Sequence, residues 1–286
     1  MKGFDASWLA LREVADVAAR SKTTVTVLAP RLREQSPVRI LDLATGTGSN
    51  PRYLAPLLGG EQEWLLTDGD PGVLAALPGA MAKWAQLHGY AMSETSVSIA
   101  VSGPGFSGRF RLLRLDLAEA LNRLPIQGHG LVTASALLDL VSASWLGALV
   151  GRCRAARAGL LFALTYDGRI RLAPRHPGDG LAARLVNRHQ RTDKGFGPAL
   201  GPGATDAAQV MLARLGYRVA RLPSDWSIAP EQRELQQHLL GGWASAAMET
   251  APGATHEVGA WLWHRRRYLA RGLSRMLVGH QDLIGL

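Results

Sequence analysis

Apolar and polar positions along this chain follow two periods, one that suits strands and one that suits helices. Val38, Ile40, Leu41 and Leu43 form a short apolar run that ends in the glycine-bearing turn Ala44-Thr45-Gly46-Thr47-Gly48. A helical stretch from about Ser49 to Leu58 follows, then a second apolar run, Trp64-Leu65-Leu66, closed by Thr67-Asp68-Gly69-Asp70. Strand, glycine loop, helix and strand in this order predict the start of a parallel α/β sheet. The glycines let backbone approach a ligand where a Cβ would clash. An acid at the end of the second strand can accept from both hydroxyls of a ribose.

The alternation continues downstream. Pro71 to Leu87 reads as a helix with Asp70 as N-cap and Pro71 at its first position. Val97 to Val101 and Phe110 to Leu115 read as strands around the loop 102–108, and the second of them ends in Asp116-Leu117. Gly130 to Ala134 is a fourth core strand, Ser144 to Arg157 a helix, and Gly159 to Thr165 a fifth strand. The unbroken apolar text of that fifth strand predicts burial on both faces. Thr205 to Leu215 is a helix, Tyr217 to Leu222 a sixth strand, and Arg275 to Leu286 a strand-like terminus.

Two tracts exceed this minimal plan. Residues 174–202 gather His176, Asn187, Arg188, His189, Gln190, Arg191, Asp193 and Lys194 around a short helix and a glycine-proline loop. Long structureless loops are uncommon in compact domains, so a pocket wall is one use of this insert and a solvated surface excursion the other. Glu231 to Met248 and His256 to Leu273 read as helices bearing Trp243, Trp261 and Trp263, with the basic run His264-Arg265-Arg266-Arg267 on the second. Those tryptophans suit a substrate cap, a homodimer interface or plain core packing. At the other end, residues 5–20 read as a helix with Leu9, Leu11, Val14, Val17 and Ala18 on its apolar face. Arg12, Asp16 and Arg20 follow at i+4 spacing as one charged stripe. A second helical piece, about Thr23 to Gln35, is weakened by β-branched Thr24, Val25, Thr26 and Val27.

Composition narrows the function classes. The chain of 286 residues accommodates one enlarged α/β domain or a domain plus a cap, and 47% apolar residues predict a folded chain. Cys153 is the only cysteine, which excludes an internal disulfide and any multi-cysteine metal site. The histidines lack H-x-x-x-H spacing, so no metal is expected. The amino terminus lacks a signal-peptide core, and no apolar run approaches the ~18 residues that span a bilayer, so a cytoplasmic protein is expected. The net charge of +9 invites a nucleic-acid reading. Yet only four of 32 basic residues are lysine, and such a bias can reflect nucleotide composition.

The glycine loop separates two ligand classes. A dinucleotide fingerprint, G-x-G-x-x-G, places its third glycine where this chain has Pro51. Instead, Asp42 stands four residues before Gly46, and Asp68 stands 20 residues past Gly48. The segment Asp42-Leu43-Ala44-Thr45-Gly46-Thr47-Gly48 resembles the D/E-x-G/A-x-G-x-G motif of class I S-adenosylmethionine-dependent methyltransferases. A carboxylate at the loop suits a methionine ammonium and would repel a pyrophosphate.

The resemblance implies a doubly wound α/β sheet of seven strands, order 3-2-1-4-5-7-6, with the last strand antiparallel between the fifth and sixth. It divides the chain into an amino-terminal helical lid, 1–36, and a methyltransferase domain, 37–286, with inserts at about 174–202 and 224–273. S-adenosyl-L-methionine would be held by Asp42, Ala44, Gly46, Thr47 and Gly48 at the loop, and by Asp68 and Gly69 at the ribose. Asp116 and Leu117 would face the adenine, Ser135 would close the fourth strand, and Arg20 would reach the carboxylate from the lid. Asp116 also reads as the N-cap of a helix from Leu117, and one residue can serve both roles. Gly216-Tyr217 matches the family's glycine-aromatic step before the sixth strand, whereas a helical pair between strands six and seven departs from its usual tight hairpin. Ser135-Ala136-Leu137-Leu138 lacks the D/N-P-P-Y/F motif of enzymes that methylate base or amide nitrogens. That leaves a small-molecule oxygen, carbon or amine acceptor. The alternatives are an RNA methyltransferase, or an S-adenosylmethionine-using enzyme or sensor that does not transfer the methyl. Candidate proton acceptors are Tyr166 after the fifth strand, Asp139 after the fourth, and His189 in the polar insert.

Overall fold

The computed structural model describes residues 5–20, 23–32 and 35–286. Residues 1–4, 21–22 and 33–34, which fall within the expected amino-terminal segment 1–36, lie outside the described residues. Helices α1 (Ala6–Ala19) and α2 (Thr23–Leu32) lead into β1 (Val38–Leu43), α3 (Ser49–Leu58), β2 (Gly60–Asp68) and α4 (Pro71–His88). Then come β3 (Ala91–Glu94), β4 (Ile99–Gly103), β5 (Phe106–Arg114), β6 (Leu131–Ser135), α5 (Ala143–Ala155) and β7 (Gly159–Ala173). The chain finishes with α6 (Asp179–His189), α7 (Ala204–Arg214), β8 (Val219–Pro223), β9 (Trp226–Ile228), α8 (Arg233–Thr250), α9 (Thr255–Ala270) and β10 (Arg275–Gly285). No helix among the described residues is long and apolar enough to cross a membrane.

One sheet of ten strands runs in the order β3-β4-β5-β2-β1-β6-β7-β10-β8, with β9 on β10. The centre, β5-β2-β1-β6-β7, is parallel, and both flanks are antiparallel. Register brings the carboxyl ends of the parallel strands to one edge: Leu43 lies opposite Thr67 and Ala134, and Asp68 opposite Arg114. Side chains on β1 alternate across the sheet as the strand period requires. Ile40 joins Trp64, Leu66, Leu77 and Met81 on the α3–α4 face, while Leu41 and Leu43 join Val132, Leu146 and Leu149 on the α5 face. A third core gathers Tyr166, Ala182, Trp226, Leu240 and Trp261 where α6, α8 and α9 meet the outer parts of β7 and β10.

Three departures from the pattern have local causes. No helix begins at Leu117; the Asp116 side chain caps a turn, accepting from Ala118 N at 2.9 Å, and only the 3-10 turn Leu121–Arg123 follows. Pro125 disfavours helical backbone at Leu124 and leaves too few residues for a helix. The expected loop 102–108 is a tight turn at Pro104-Gly105, with Gly105 at φ +82°, so β5 starts at Phe106. The fifth core strand does not stop at Thr165. It runs to Ala173 because β10 pairs along its whole length, from Leu160 opposite Gly285 to Ala173 opposite Arg275. That antiparallel arm carries α6, α8 and α9 beyond the strand tips.

Candidate functional site

The loop after β1 is built by left-handed backbone. Ala44, Gly46 and Gly48 have φ of 48°, 56° and 83°, and Gly48 leads directly into α3. A Cβ on Gly46 would stand 3.0 Å from Leu9 Cδ1, so α1 rests on the loop and glycine is required there for space as well as for φ. Gly46 N donates to Asp68 Oδ2 at 2.9 Å, and Asp70 N donates to Asp68 Oδ1 at 3.0 Å. Burial still holds the Asp68 carboxyl above its ordinary pKa.

These groups open into a cavity of about 610 Å³ at the carboxyl edge of the parallel strands. Its floor comes from Ala44, Gly46, Asp68 and Gly69, one side from Asp116 to Glu119, and another from Ser135, Ala136, Leu137 and Leu140. Leu9 and Arg12 of α1 and Lys194 to Phe196 of the polar insert complete the wall. Ala44 and Ala136, at the tips of β1 and β6, both adopt φ near 50° (48° and 53°), a strained conformation for alanine that clusters at ligand sites. The volume falls in the ~300–1,000 Å³ range of small-molecule sites.

Of the expected cofactor residues, Ala44, Gly46, Asp68, Gly69, Asp116, Leu117 and Ser135 line this cavity. Thr47 and Gly48 lie outside its lining; the Thr47 carbonyl accepts from Arg52 Nη1 at 2.5 Å. Asp42 lies outside too, fully buried beneath the loop. It accepts from Thr45 Oγ1 and Asn50 Nδ2, each at 2.6 Å, and burial pushes its carboxyl up to about 7. Each of its oxygens is held by one side-chain donor, from the loop and from α3, and none of it reaches the cavity, so its position makes it a brace for the turn.

Arg20 is also buried outside the lining. It donates to Asn50 Oδ1 at 2.5 Å and stacks 4.3 Å over the Tyr53 ring, with Nε and Nη2 unpartnered among the described residues. The arginine of the charged stripe that reaches the cavity is Arg12, two turns earlier. Arg12 is bound through Nε and Nη2 to Asp16 at 2.9 and 3.0 Å and lies 5.0 Å over Trp226.

The three candidate proton acceptors separate into two places. Asp139 and Tyr166 come together: the Tyr166 backbone N–H supports the Asp139 carboxylate, which burial nonetheless raises to about 6. Burial also raises the Tyr166 phenol, with Asp139 adding to the shift, and its hydroxyl donates to Asn187 Oδ1 at 2.7 Å. His280, which no sequence motif marks, stands on β10 with its ring 6.1 Å from that of Tyr166. Its Nδ1 lies 3.0 Å from Val278 O, and burial, then Arg12, lowers its pKa to about 4. A histidine beside Gln281-Asp282 inside an otherwise apolar strand was the available signal. His189 is elsewhere, with Nε2 3.2 Å from Glu249 and Nδ1 3.3 Å from Lys194 Nζ. It is Lys194, not His189, that lines the cavity.

No family model and no curated protein sequence matches the chain. Among solved structures, the chain is similar to a cyclopropane-fatty-acyl-phospholipid synthase-like protein from Lactobacillus casei, at 11% identity and TM-score 0.49 over 96% of this chain and 92% of that one. It is also similar to a cyclopropane synthase from Mycobacterium tuberculosis, at 10% identity and TM-score 0.44 over 92% and 83%. A third, a SAM-dependent methyltransferase from Archaeoglobus fulgidus, is 16% identical at TM-score 0.38 over 69% and 71%. At these identities the chemistry has to be read from the residues of the cavity.

Proposed function

We propose that the chain is a class I S-adenosylmethionine-dependent methyltransferase acting on a small-molecule oxygen, carbon or amine nitrogen. The observation that carries this reading is the cavity shared by Asp68, Gly46 and Asp116, three residues from three adjacent strand tips. Asp68, held at both oxygens by backbone N–H groups, keeps lone-pair capacity that would accept from ribose hydroxyls. Asp116 and Leu117 would face the adenine, and Ser135 with the loop would face the methionine end. Without β3, β4 and β9, the strand order β5-β2-β1-β6-β7-β10-β8 becomes 3-2-1-4-5-7-6, which supports the reading. Residues 1–36 act as a lid on 37–286, consistent with Leu9 lying over Gly46.

When bound, the cofactor supplies an activated methyl and its own leaving group. The chain's residues therefore position the acceptor and, where needed, take its proton. Of the three candidates, Asp139, raised to about 6 and beside Arg12 of the cavity wall, is the best matched in pKa to that task, while neither it nor Tyr166 is part of the lining itself. The Tyr166 phenol remains protonated and acts as a donor.

An RNA acceptor finds less support, because the expected basic run is not one surface. Arg265 is fully buried, bound to Asp179 through Nε at 2.9 Å and through Nη2, and to Pro174 O at 2.8 Å. Arg267 stacks 4.6 Å over Trp263. Calorimetry against S-adenosylmethionine and NAD tests the cofactor. Product analysis then tests the reaction: S-adenosylhomocysteine marks methyl transfer, methylthioadenosine marks aminobutyrate chemistry, and neither marks a sensor.

A further inference from the structure

Charge is distributed unevenly around the cavity. The strand tips and the turns that follow them contribute four carboxylates, Asp68, Asp70, Asp116 and Glu119, whereas α1 and the polar insert contribute two cations, Arg12 and Lys194. Arg12 is already neutralised by Asp16 through two hydrogen bonds. Lys194 has no carboxylate within ion-pair distance among the described residues; its Nζ meets Thr192 Oγ1 at 2.9 Å and His189 Nδ1 at 3.3 Å, both acceptors without charge.

The contacts of His189 fix its role. Its Nε2 lies 3.2 Å from Glu249 Oε2, so Nε2–H donates to the carboxylate and the Nδ1 lone pair faces Lys194. An ammonium carries three N–H donors, and two are used, which leaves one for a ligand. Leu137, Leu140 and Phe196 add apolar surface to the same cavity. Partial burial, which lowers the pKa of Lys194, strengthens its attraction for an anion relative to an exposed lysine.

We propose that Lys194, held in place by Thr192 and His189, anchors a carboxylate or phosphate group on the methyl acceptor. The acceptor is then a small molecule with an apolar body and an anionic end, and His189 is a positioning residue. This rests on the cofactor reading above, and the rival use of Lys194 is the carboxylate of the cofactor itself.

Calorimetry on the full chain separates these. S-adenosylhomocysteine, and methylthioadenosine, which lacks the carboxylate, are titrated into the wild type, Lys194→Met and Lys194→Arg. Benzoate, phenyl phosphate and neutral benzamide are then titrated into the proteins loaded with S-adenosylhomocysteine. The expected result is unchanged S-adenosylhomocysteine affinity in all three proteins. Benzoate or phenyl phosphate should bind the loaded wild type at least about tenfold tighter than benzamide, the scale of one hydrogen bond to a charged group. Lys194→Met should abolish that preference and Lys194→Arg should keep it. Loss of S-adenosylhomocysteine affinity in Lys194→Met, with methylthioadenosine unaffected, would assign the lysine to the cofactor and overturn the proposal. Equal binding of charged and neutral probes, or none, overturns it with the cofactor reading intact. A wild type that binds no S-adenosylhomocysteine overturns both.

Discussion

Arg52 Nη2 lies 2.7 Å from Glu13 Oε2, and this ion pair fastens α1 to the helix that follows the glycine loop. The same guanidinium donates to the Thr47 carbonyl, so one buried side chain holds both α1 and the loop on which it rests. Glu13→Ala should leave Arg52 without its carboxylate and cost about 1–3 kcal/mol of stability. Hydrogen exchange should quicken across α1 first. Unchanged protection of α1 amides in that variant would show that the pair does not hold α1.

Asp68→Ala removes the carboxylate at the centre of the cavity floor. Affinity for S-adenosylmethionine should fall by about 1.5–3 kcal/mol, the scale of hydrogen bonds to a charged group. Calorimetry together with circular dichroism checks that the fold survives. Unchanged affinity in a folded variant removes Asp68 from the ribose.

Asp139 gives a pH dependence with opposite signs for rate and stability. Its folded pKa, about 6, is raised above the ordinary aspartate value by burial. Turnover should rise with pH through about 6, because only the ionised carboxylate accepts a proton. Stability contributed by the protonated form is fully present below the unfolded pKa and should be lost as pH rises from about 4 through 6. Asp139→Asn should lower turnover about 100-fold or more, flatten the acid limb and leave cofactor affinity unchanged. A persisting acid limb transfers that role to another group.

His189→Ala tests whether the imidazole is a base or a support for Lys194. Turnover should fall by about tenfold or less, with the acid limb retained, since one neutral hydrogen bond is worth about 1 kcal/mol. A loss of 100-fold together with the acid limb would restore His189 as the proton acceptor.

Arg265→Ala should destabilise the α6–α8–α9 unit by about 3–5 kcal/mol, because it strands Asp179 against Trp261. Thermal denaturation reads that loss. Removing Arg266 and Arg267 should leave stability within about 0.5 kcal/mol, as surface substitutions do. Neither change should expose salt-dependent RNA binding; a complex whose affinity falls steeply with salt would reopen the polyanion reading.

The strand, glycine loop, helix and second strand were legible in the sequence because each is a local statement. Period-two apolar runs, glycines at positive φ and an N-cap at Asp70 depend on neighbours a few residues away. The same locality made Asp68 and Gly46 readable as cavity residues. Burial and partner choice are not local. The motif identifies Asp42, yet only packing turned it beneath the loop onto Thr45 and Asn50. The i+4 stripe joins Arg12 to Arg20, but the seating of α1 on Gly46 decided which of them faces the cavity. Strand β7 runs on to Ala173 only because β10, more than 100 residues later, offers it a partner ladder. That pairing sets His280 opposite Tyr166, and the loop after α6 brings Lys194 to the cavity while His189 stays behind it. Spacing in a sequence fixes which residues share a turn or a strand face. Which of them meet a ligand is set by long-range contacts, through the desolvation and hydrogen bonding that only the assembled fold imposes.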